Sequence, residues 1–288
     1  MIKLHAYAKL NLSLDIKGKR ADGYHELDSI MQSISLYDTV VIRKADTVCV
    51  AMDASGIEAQ NNSALAAAQA FMEKTGIAGA HISIEKRIPM QAGLGGASAD
   101  AAAVLIGLDS LYETNLSKET LAALGKRIGA DVPFALTGGT ARVRGIGENI
   151  SPLFPSAFMH YAVVKPYAGV PTREAYRRYK KSVPLRMGSV EYAVLKGDVD
   201  LFLRFAGNAL GIPALAISPE ILRAADALLA AGALRALMSG SGSCMFAPFS
   251  SWKEAQSAAE RVKGNFELCM ALSPCGQGVK IVENGGSP

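Results

Sequence analysis

From Ile2 to Lys17 the chain alternates apolar and polar residues without a break. Ile2, Leu4, Ala6, Ala8, Leu10, Leu12, Leu14 and Ile16 hold one parity; Lys3, His5, Tyr7, Lys9, Asn11, Ser13, Asp15 and Lys17 hold the other. A period of two sends successive side chains to opposite faces of a strand. The segment therefore predicts one long strand, or two joined at a bend, with one face on a core. Lys9 and Asn11 then project together from the polar face. Residues 34–43 and 81–88 also read as strands, the second ending at Pro89, and a further strand is expected in HYAVVKP from His160.

Helix signals punctuate the rest. One helix is expected from about Asn62 to Thr75, stopping at Gly76. Another begins inside AGLGGASADAAAVLIGL, where glycines give way to alanines. Ser117 is placed to cap KETLAALGKRI, which ends at Gly129. Ser218-Pro219-Glu220 reads as the start of ILRAADALLAAG, and Ser251 with Glu254 has capping-box spacing. Strands and helices are interspersed without the regular alternation of a doubly wound fold. Pro152 and Pro155 interrupt the pattern, which divides the chain into domains 1–150 and 151–288, with ENGGSP as a loose tail.

A length of 288 residues suits two moderate domains or one large one. Apolar residues at 50% against 19% charged exclude a disordered chain. Thirty basic residues against 26 acidic give a net charge of +4, too mild for a nucleic-acid partner but compatible with anionic ligands. No run of about 18 apolar residues suggests a membrane span, and the N-terminus lacks the apolar stretch of a secretion signal. Cys49, Cys244, Cys269 and Cys275 have no CxxC spacing and read as small buried thiols in a reducing compartment. The expectation is a soluble, cytoplasmic protein.

The stretch that carries most chemistry is Gly93-Leu94-Gly95-Gly96-Ala97-Ser98-Ala99-Asp100, between a predicted strand and a predicted helix. Small residues let a backbone approach a ligand, and the following helix offers free N–H groups and a positive dipole end suited to phosphate. The Walker pattern GxxxxGK[ST] is absent, and a mobile connector is the competing reading. Ser239-Gly240-Ser241-Gly242-Ser243-Cys244 is a second small-residue run, readable as a tight turn. Asp131, two residues before Pro133, is either a helix cap or a carboxylate held to take a proton from a hydroxyl. Lys9 is either a solvated strand lysine or a cation for phosphoryl transfer. Asn11 is either a solvated strand residue or one turning a bend. Tyr24 and His25 sit in a loop and are able to stack on, or hydrogen-bond to, a planar heterocycle. His5, His81 and His160 share no spacing and read as strand residues.

Taken together, these pieces resemble the GHMP kinase superfamily over nearly the whole chain and in its order. AYAKLNLSLDI with RADGYHELDSIMQSISLYD is similar to the opening of the branch that acts on a cytidyl diphosphate sugar alcohol. IPMQAGLGGASADAAA resembles the superfamily's ATP loop, and GADVPFALTGGTARVRGIGE the stretch holding the catalytic acid. SGSGSCMFA resembles the C-terminal glycine motif, and KPYAGVPTREAY the K-P-x-x-x-V-x-T segment.

The resemblance implies an α+β, two-domain GHMP kinase fold with a deep cleft between the domains. It implies ATP as co-substrate with Mg²⁺, and transfer of the γ-phosphate to a 2-hydroxyl in non-mevalonate isoprenoid biosynthesis. Asp131 would be the base, and Lys9 would steady both that carboxylate and the acceptor oxygen, with Asn11 in the same pocket. The backbone from Gly93 through Leu94, Gly95, Gly96 and Ala97 to Ser98 would hold the ATP phosphates, Ser98 lying near Mg²⁺. Pro89 and Ala99 would flank that loop. Asn62, Ser63 and Lys86 would border the adenine. Tyr24 and Tyr176 would sandwich the cytosine while His25 reads its edge, although the family usually has Phe at the second position.

Departures are visible. The loop more usually reads GLGGGSSNAA, whereas this chain has Ala97, Ala99 and Asp100, the last bringing negative charge toward ATP. The family's N-D/-E segment is altered to Asn208-Ala209-Leu210-Gly211. No dedicated protein metal site, nucleic acid or membrane partner is expected, and the enzyme would be a monomer or weak homodimer. The rival readings are a mevalonate- or homoserine-type kinase and a non-catalytic nucleotide-binding sensor.

Overall fold

The computed structural model describes residues 1–53, 62–157 and 159–284. The alternating N-terminal segment is one strand, β1 (Ile2–Lys19), with no break at a bend. Its apolar parity is buried throughout, from Ile2 to Ile16. Removing a Leu or Ile side chain from water contributes about 1.5–3 kcal/mol, so the alternation settles which face turns inward. β2 (His25–Lys44) pairs antiparallel along almost its whole length. The register shifts between Tyr7 and Lys9, and again between Asn11 and Ser13. Such irregularities re-aim side chains and increase twist, and here they flank the two polar residues singled out above.

The chain continues through β3 (Cys49–Met52), α1 (Ser63–Thr75), β4 (Ala80–Glu85), α2 (Gly96–Tyr112), α3 (Lys118–Ile128) and α4 (Val132–Thr137). It then forms β5 (Thr140–Gly145), β6 (Asn149–Leu153) and β7 (His160–Lys165). A helical stretch follows: α5 (Thr172–Arg178), α6 (Met187–Lys196), α7 (Val199–Phe205), α8 (Gly211–Leu215) and α9 (Glu220–Ala230). The last elements are β8 (Leu237–Met238), β9 (Met245–Phe249), α10 (Trp252–Val262), β10 (Leu268–Leu272) and β11 (Val279–Asn284).

Seven strands form the first sheet, in the order β11-β1-β2-β4-β3, with β5 on β2 and β6 on β5. The second sheet runs β10-β7-β9-β8. α2 packs its alanines and leucines against β1 and β2 in the larger core, and a second core lies under α9 and α10.

Local signals read correctly where the bond is local. Asn62 caps α1 through Leu65 N–H at 2.7 Å, Ser117 caps α3 through Thr120 N–H, and Ser251 with Glu254 closes a capping box. α9 begins at Glu220 with Pro219 in the cap position, so Ser218 lies outside the helix. The strand expected at 34–43 begins much earlier, at His25. The strand expected at 81–88 stops at Glu85, because the N–H groups of Lys86, Arg87 and Ile88 leave the ladder for the carboxylates of Asp53 and Asp38.

A division into 1–150 and 151–288 does not coincide with the sheets. β6 crosses residue 150 while paired to β5, and β11 returns from the far end of the chain to pair with β1. Of the expected ENGGSP tail, Glu283 and Asn284 belong to β11, and 285–288 lie outside the described residues. Only Cys244 is a fully buried thiol; Cys49 is exposed, Cys269 and Cys275 are half-buried, and all four are free.

Candidate active site

Lys9 sits on the polar face of β1 yet is buried, because the glycine loop and the C-terminal half of the chain close over it. Its ammonium donates to the Asn11 side-chain oxygen and to the Gly93 carbonyl at 3.1 Å. It also lies 3.3 Å from Oδ2 of Asp131. A lysine with three donors and three fixed acceptors is oriented, not solvated. Asn11 is equally far from solvent: its amide donates to the Ser29 hydroxyl at 2.9 Å, and its backbone N–H donates to the Ser239 hydroxyl at 3.0 Å.

Asp131 occupies the N-cap position of α4 but its side chain makes no capping bond. The capping reading therefore fails in the geometry, and the carboxylate points to Lys9 with about a third of its surface open to the cleft. Beside it runs the glycine loop. Gly95, at φ +74°, is the N-cap of α2, so the first turn of that helix opens directly onto the space next to Lys9. A Cβ at Gly95 would stand 3.0 Å from the Lys9 side chain, and one at Gly93 would stand 2.0 Å from the Ser239 carbonyl oxygen. Glycine is required here by both torsion and close approach.

The second glycine run is the β8–β9 turn, as a structural reading would have it, and it also lines the cleft through Gly240 and Ser241. A cluster of rings lines the same cleft. His25 packs on Tyr176 at 5.4 Å between centroids and edge-on to Tyr179 at 5.7 Å. Tyr24 is 61% exposed at the rim. The cleft holding all these groups measures about 1150 Å³, more than the roughly 300–1,000 Å³ of a pocket for one small ligand.

Residues 62–139 match the family model described as GHMP kinases N terminal domain, and residues 190–268 match GHMP kinases C terminal. A 4-diphosphocytidyl-2-C-methyl-D-erythritol kinase of Carboxydothermus hydrogenoformans is 45% identical, over 88% of this chain and 90% of that protein. The kinase of the same name from Caldicellulosiruptor bescii is 40% identical, over 95% of this chain and 98% of that one. The chain belongs to the 4-diphosphocytidyl-2-C-methyl-D-erythritol kinase family. A crystal structure of a 4-(cytidine 5'-diphospho)-2C-methyl-D-erythritol kinase superposes with a TM-score of 0.79 at 34% identity, covering 94% of this chain and 99% of that one. A homoserine kinase from Cytophaga hutchinsonii, at 21% identity and TM-score 0.75 over 98% and 97% of the two chains, shares the fold.

In this family member most of the expected residues meet in one cleft: Lys9, Asn11, Tyr24, His25, Asn62, Ser63, Lys86, Pro89, Gly93 to Ser98, Asp131 and Tyr176 all line it. Ala99 does not. It is buried on the inner face of α2, and its N–H is spent on the Gly95 carbonyl at 2.9 Å. Tyr176 and His25 stand tilted to each other at 32°, and Tyr24 adds its ring at the rim of the same cleft.

Lys86 is not free to reach outward. Its ammonium is held by the buried Asp38 and, at 2.6 Å, by the buried Asp100, while Lys86 itself is half-buried. The negative charge that Asp100 brings to the loop is thus turned inward. Burial nevertheless pushes the Asp100 carboxyl up, to about 7, with Lys86 opposing and Asp38 adding to the shift. Asp38 is better supplied, accepting from Lys86 and from two backbone N–H groups, whereas Oδ1 of Asp100 has no hydrogen-bond partner among the described residues.

Several residues were not found by reading the sequence. The Ser239 hydroxyl bridges Asn11 and Gly93; Thr172 pairs with Ser241 at 2.9 Å; Arg173 stands exposed on the cleft wall. The glycine motif around Ser239 was visible, but the partners of its hydroxyls come from distant segments.

Proposed function

We propose that this chain transfers the γ-phosphate of ATP to the 2-hydroxyl of 4-diphosphocytidyl-2-C-methyl-D-erythritol, a step of non-mevalonate isoprenoid biosynthesis. The observation that carries the reading is the 3.3 Å approach of Lys9 to Asp131 beside the helix mouth at Gly95, with the ring cluster in the same cleft.

An alcohol is a weak nucleophile, and phosphoryl transfer needs chiefly alignment and neutralisation of charge. Asp131 accepts the hydroxyl proton as the oxygen attacks. Lys9, fixed by Asn11 and Gly93, holds the acceptor oxygen beside the carboxylate. The backbone of Gly93 to Ser98 and the N-terminus of α2 receive the phosphates. Asn62 and Ser63 border the adenine, with Lys86 forming the floor. The cytosine enters at the ring cluster, where His25 reads its edge between Tyr24 and Tyr176.

Mg²⁺, which the family implies, would neutralise the phosphate oxygens. Among the described residues no group of three or more His, Cys, Asp or Glu is arranged to hold a metal. The Ser98 hydroxyl, which lines the cleft, fits such an ion when most of its other ligands are phosphate oxygens.

The first sheet and its helices carry the catalytic and ATP-binding groups, and the C-terminal half closes the cleft with Tyr176 and the Ser239 loop. A monomer or weak homodimer is part of the same proposal. Among the described residues no helix is long and apolar enough to cross a membrane; work in the cytoplasm is part of the proposal. The test is ADP release from purified protein with Mg²⁺-ATP and a panel of acceptors. The cytidyl compound should be phosphorylated and mevalonate and homoserine should not. Phosphorylation of mevalonate alone would overturn the substrate, and binding of both ligands without ADP would overturn the activity.

A further inference from the structure

The altered segment Asn208-Ala209-Leu210-Gly211 stands apart from the chemistry in sequence but not in space. Residues 207 and 209 pair by backbone with β1 on both sides of Leu14: Leu14 N–H donates to the Gly207 carbonyl, and Ala209 N–H donates to the Leu14 carbonyl, each at 2.9 Å. The Ser13 hydroxyl adds bonds to both backbone groups of Gly207. Asn208 is thereby bracketed onto the strand that carries Lys9 and Asn11.

Its side chain reaches the other way. Oδ1 accepts from Leu210 N–H at 2.8 Å, which fixes the amide so that Nδ2 faces the β8–β9 turn. There Nδ2 donates to the Met238 and Gly240 carbonyls, both at 2.8 Å. Those carbonyls flank Ser239, which is fully buried. The Ser239 hydroxyl donates to the Gly93 carbonyl at 2.9 Å, and that carbonyl is one of the acceptors of the Lys9 ammonium.

We propose that Asn208 is a positioning residue for Lys9, acting through Ser239 and the Gly93 carbonyl. Two amide hydrogens hold the turn on either side of Ser239; the hydroxyl holds Gly93, and Gly93 sets where the ammonium stands relative to Asp131. The proposal rests on the reading of Lys9 as the lysine that holds the acceptor oxygen.

The test is a cycle of Asn208→Ala, Ser239→Ala and the double variant, measuring kcat, both KM values and Tm. Because small displacements of reacting groups cost up to about 10²-fold, each single variant should lower kcat by about 10–100-fold. Both KM values should stay within about 3-fold. Residues acting in one chain are non-additive, so the double variant should fall no more than about 3-fold below the weaker single. Unchanged kcat with a lowered Tm in Asn208→Ala, or losses that multiply, would overturn the proposal. Should Asn208→Ala fail to fold, Ser239→Ala carries the same kcat expectation. A measurement free of any substrate separates this from the activity: the Lys9 side-chain signal in ¹³C-lysine-labelled protein, assigned with Lys9→Arg. It should move similarly in both single variants, even if the acceptor proves to be another alcohol. A Lys9 signal unmoved by Asn208→Ala would sink the positioning role.

Discussion

The Lys9 ammonium stands 3.3 Å from the Asp131 carboxylate, although one side chain belongs to the first strand and the other to the mouth of a short helix far along the chain. Both are aimed into the cleft. Among the described residues, Lys9 makes no cross-strand ion pair and Asp131 makes no cap bond. Two charged groups withdrawn from ordinary structural work and aimed at each other across a cleft are what a proton-abstracting, charge-neutralising pair requires.

The glycine loop should tolerate no side chain at its first position. Gly93→Ala puts a methyl 2.0 Å from the Ser239 carbonyl at φ +74°, so the β8–β9 turn has to move. Overpacking of this kind costs about 1–3 kcal/mol. Thermal unfolding should show the loss, and turnover should fall with it because Gly93 also holds Lys9.

On the exposed rim of the cleft, Tyr24→Ala should weaken binding of the cytidyl substrate by about 1–3 kcal/mol, the range for one base–aromatic stack. Its KM for ATP should be unaffected. Titration calorimetry with the cytidyl compound checks this, and equal affinity in the variant would remove Tyr24 from the site.

His25 is held below the ordinary histidine pKa by burial, with the Lys19 charge adding to it. At neutral pH the ring is therefore uncharged, with one donor and one acceptor to offer a base edge. Protonation of the ring therefore needs a pH below the ordinary histidine range, and the substrate KM should rise on the acid side. In His25→Gln that rise should flatten, as a KM–pH profile would show.

Asp100 gives a pH signature in stability. Its folded pKa, about 7, lies above the value near 3.9 of an unfolded aspartate. The folded state therefore binds the extra proton, and this group's contribution is fully present below about pH 4 and lost as pH rises toward 7. Asp100→Asn removes that loss and leaves Lys86 with Asp38. Tm of the variant relative to the parent should climb between pH 4 and 7, by about 2–4 °C per kcal/mol recovered. A pH-independent difference would contradict the buried arrangement.

Reading the chain revealed what is written locally. The alternation of Ile2 to Ile16, the helix start near Asn62 and the caps at Ser117 and Ser251 all depend on neighbours within a few residues, and all appear in the structure. What depends on distant segments was not legible. Period two puts Lys9 on the polar face but cannot say that the glycine loop will bury that face. The Lys86 and Asp100 pairing, the return of β11 to the first sheet and the Asn208 bonds to Met238 and Gly240 are all contacts between remote parts of the chain. Ala99 looks like a loop residue by motif; only the phase of α2 shows that it faces the core. The site residues were gathered by resemblance to a family, and their geometry by folding.

The most direct test of the central arrangement is steady-state phosphorylation of 4-diphosphocytidyl-2-C-methyl-D-erythritol by Asp131→Asn, with Tm measured alongside. The substitution keeps the shape and removes the proton acceptor. kcat should drop by about 10²–10⁴-fold, with both KM values and Tm close to those of the parent. A kcat near that of the parent would show that the hydroxyl proton leaves by another route and that the lysine–aspartate pair is not the catalytic centre.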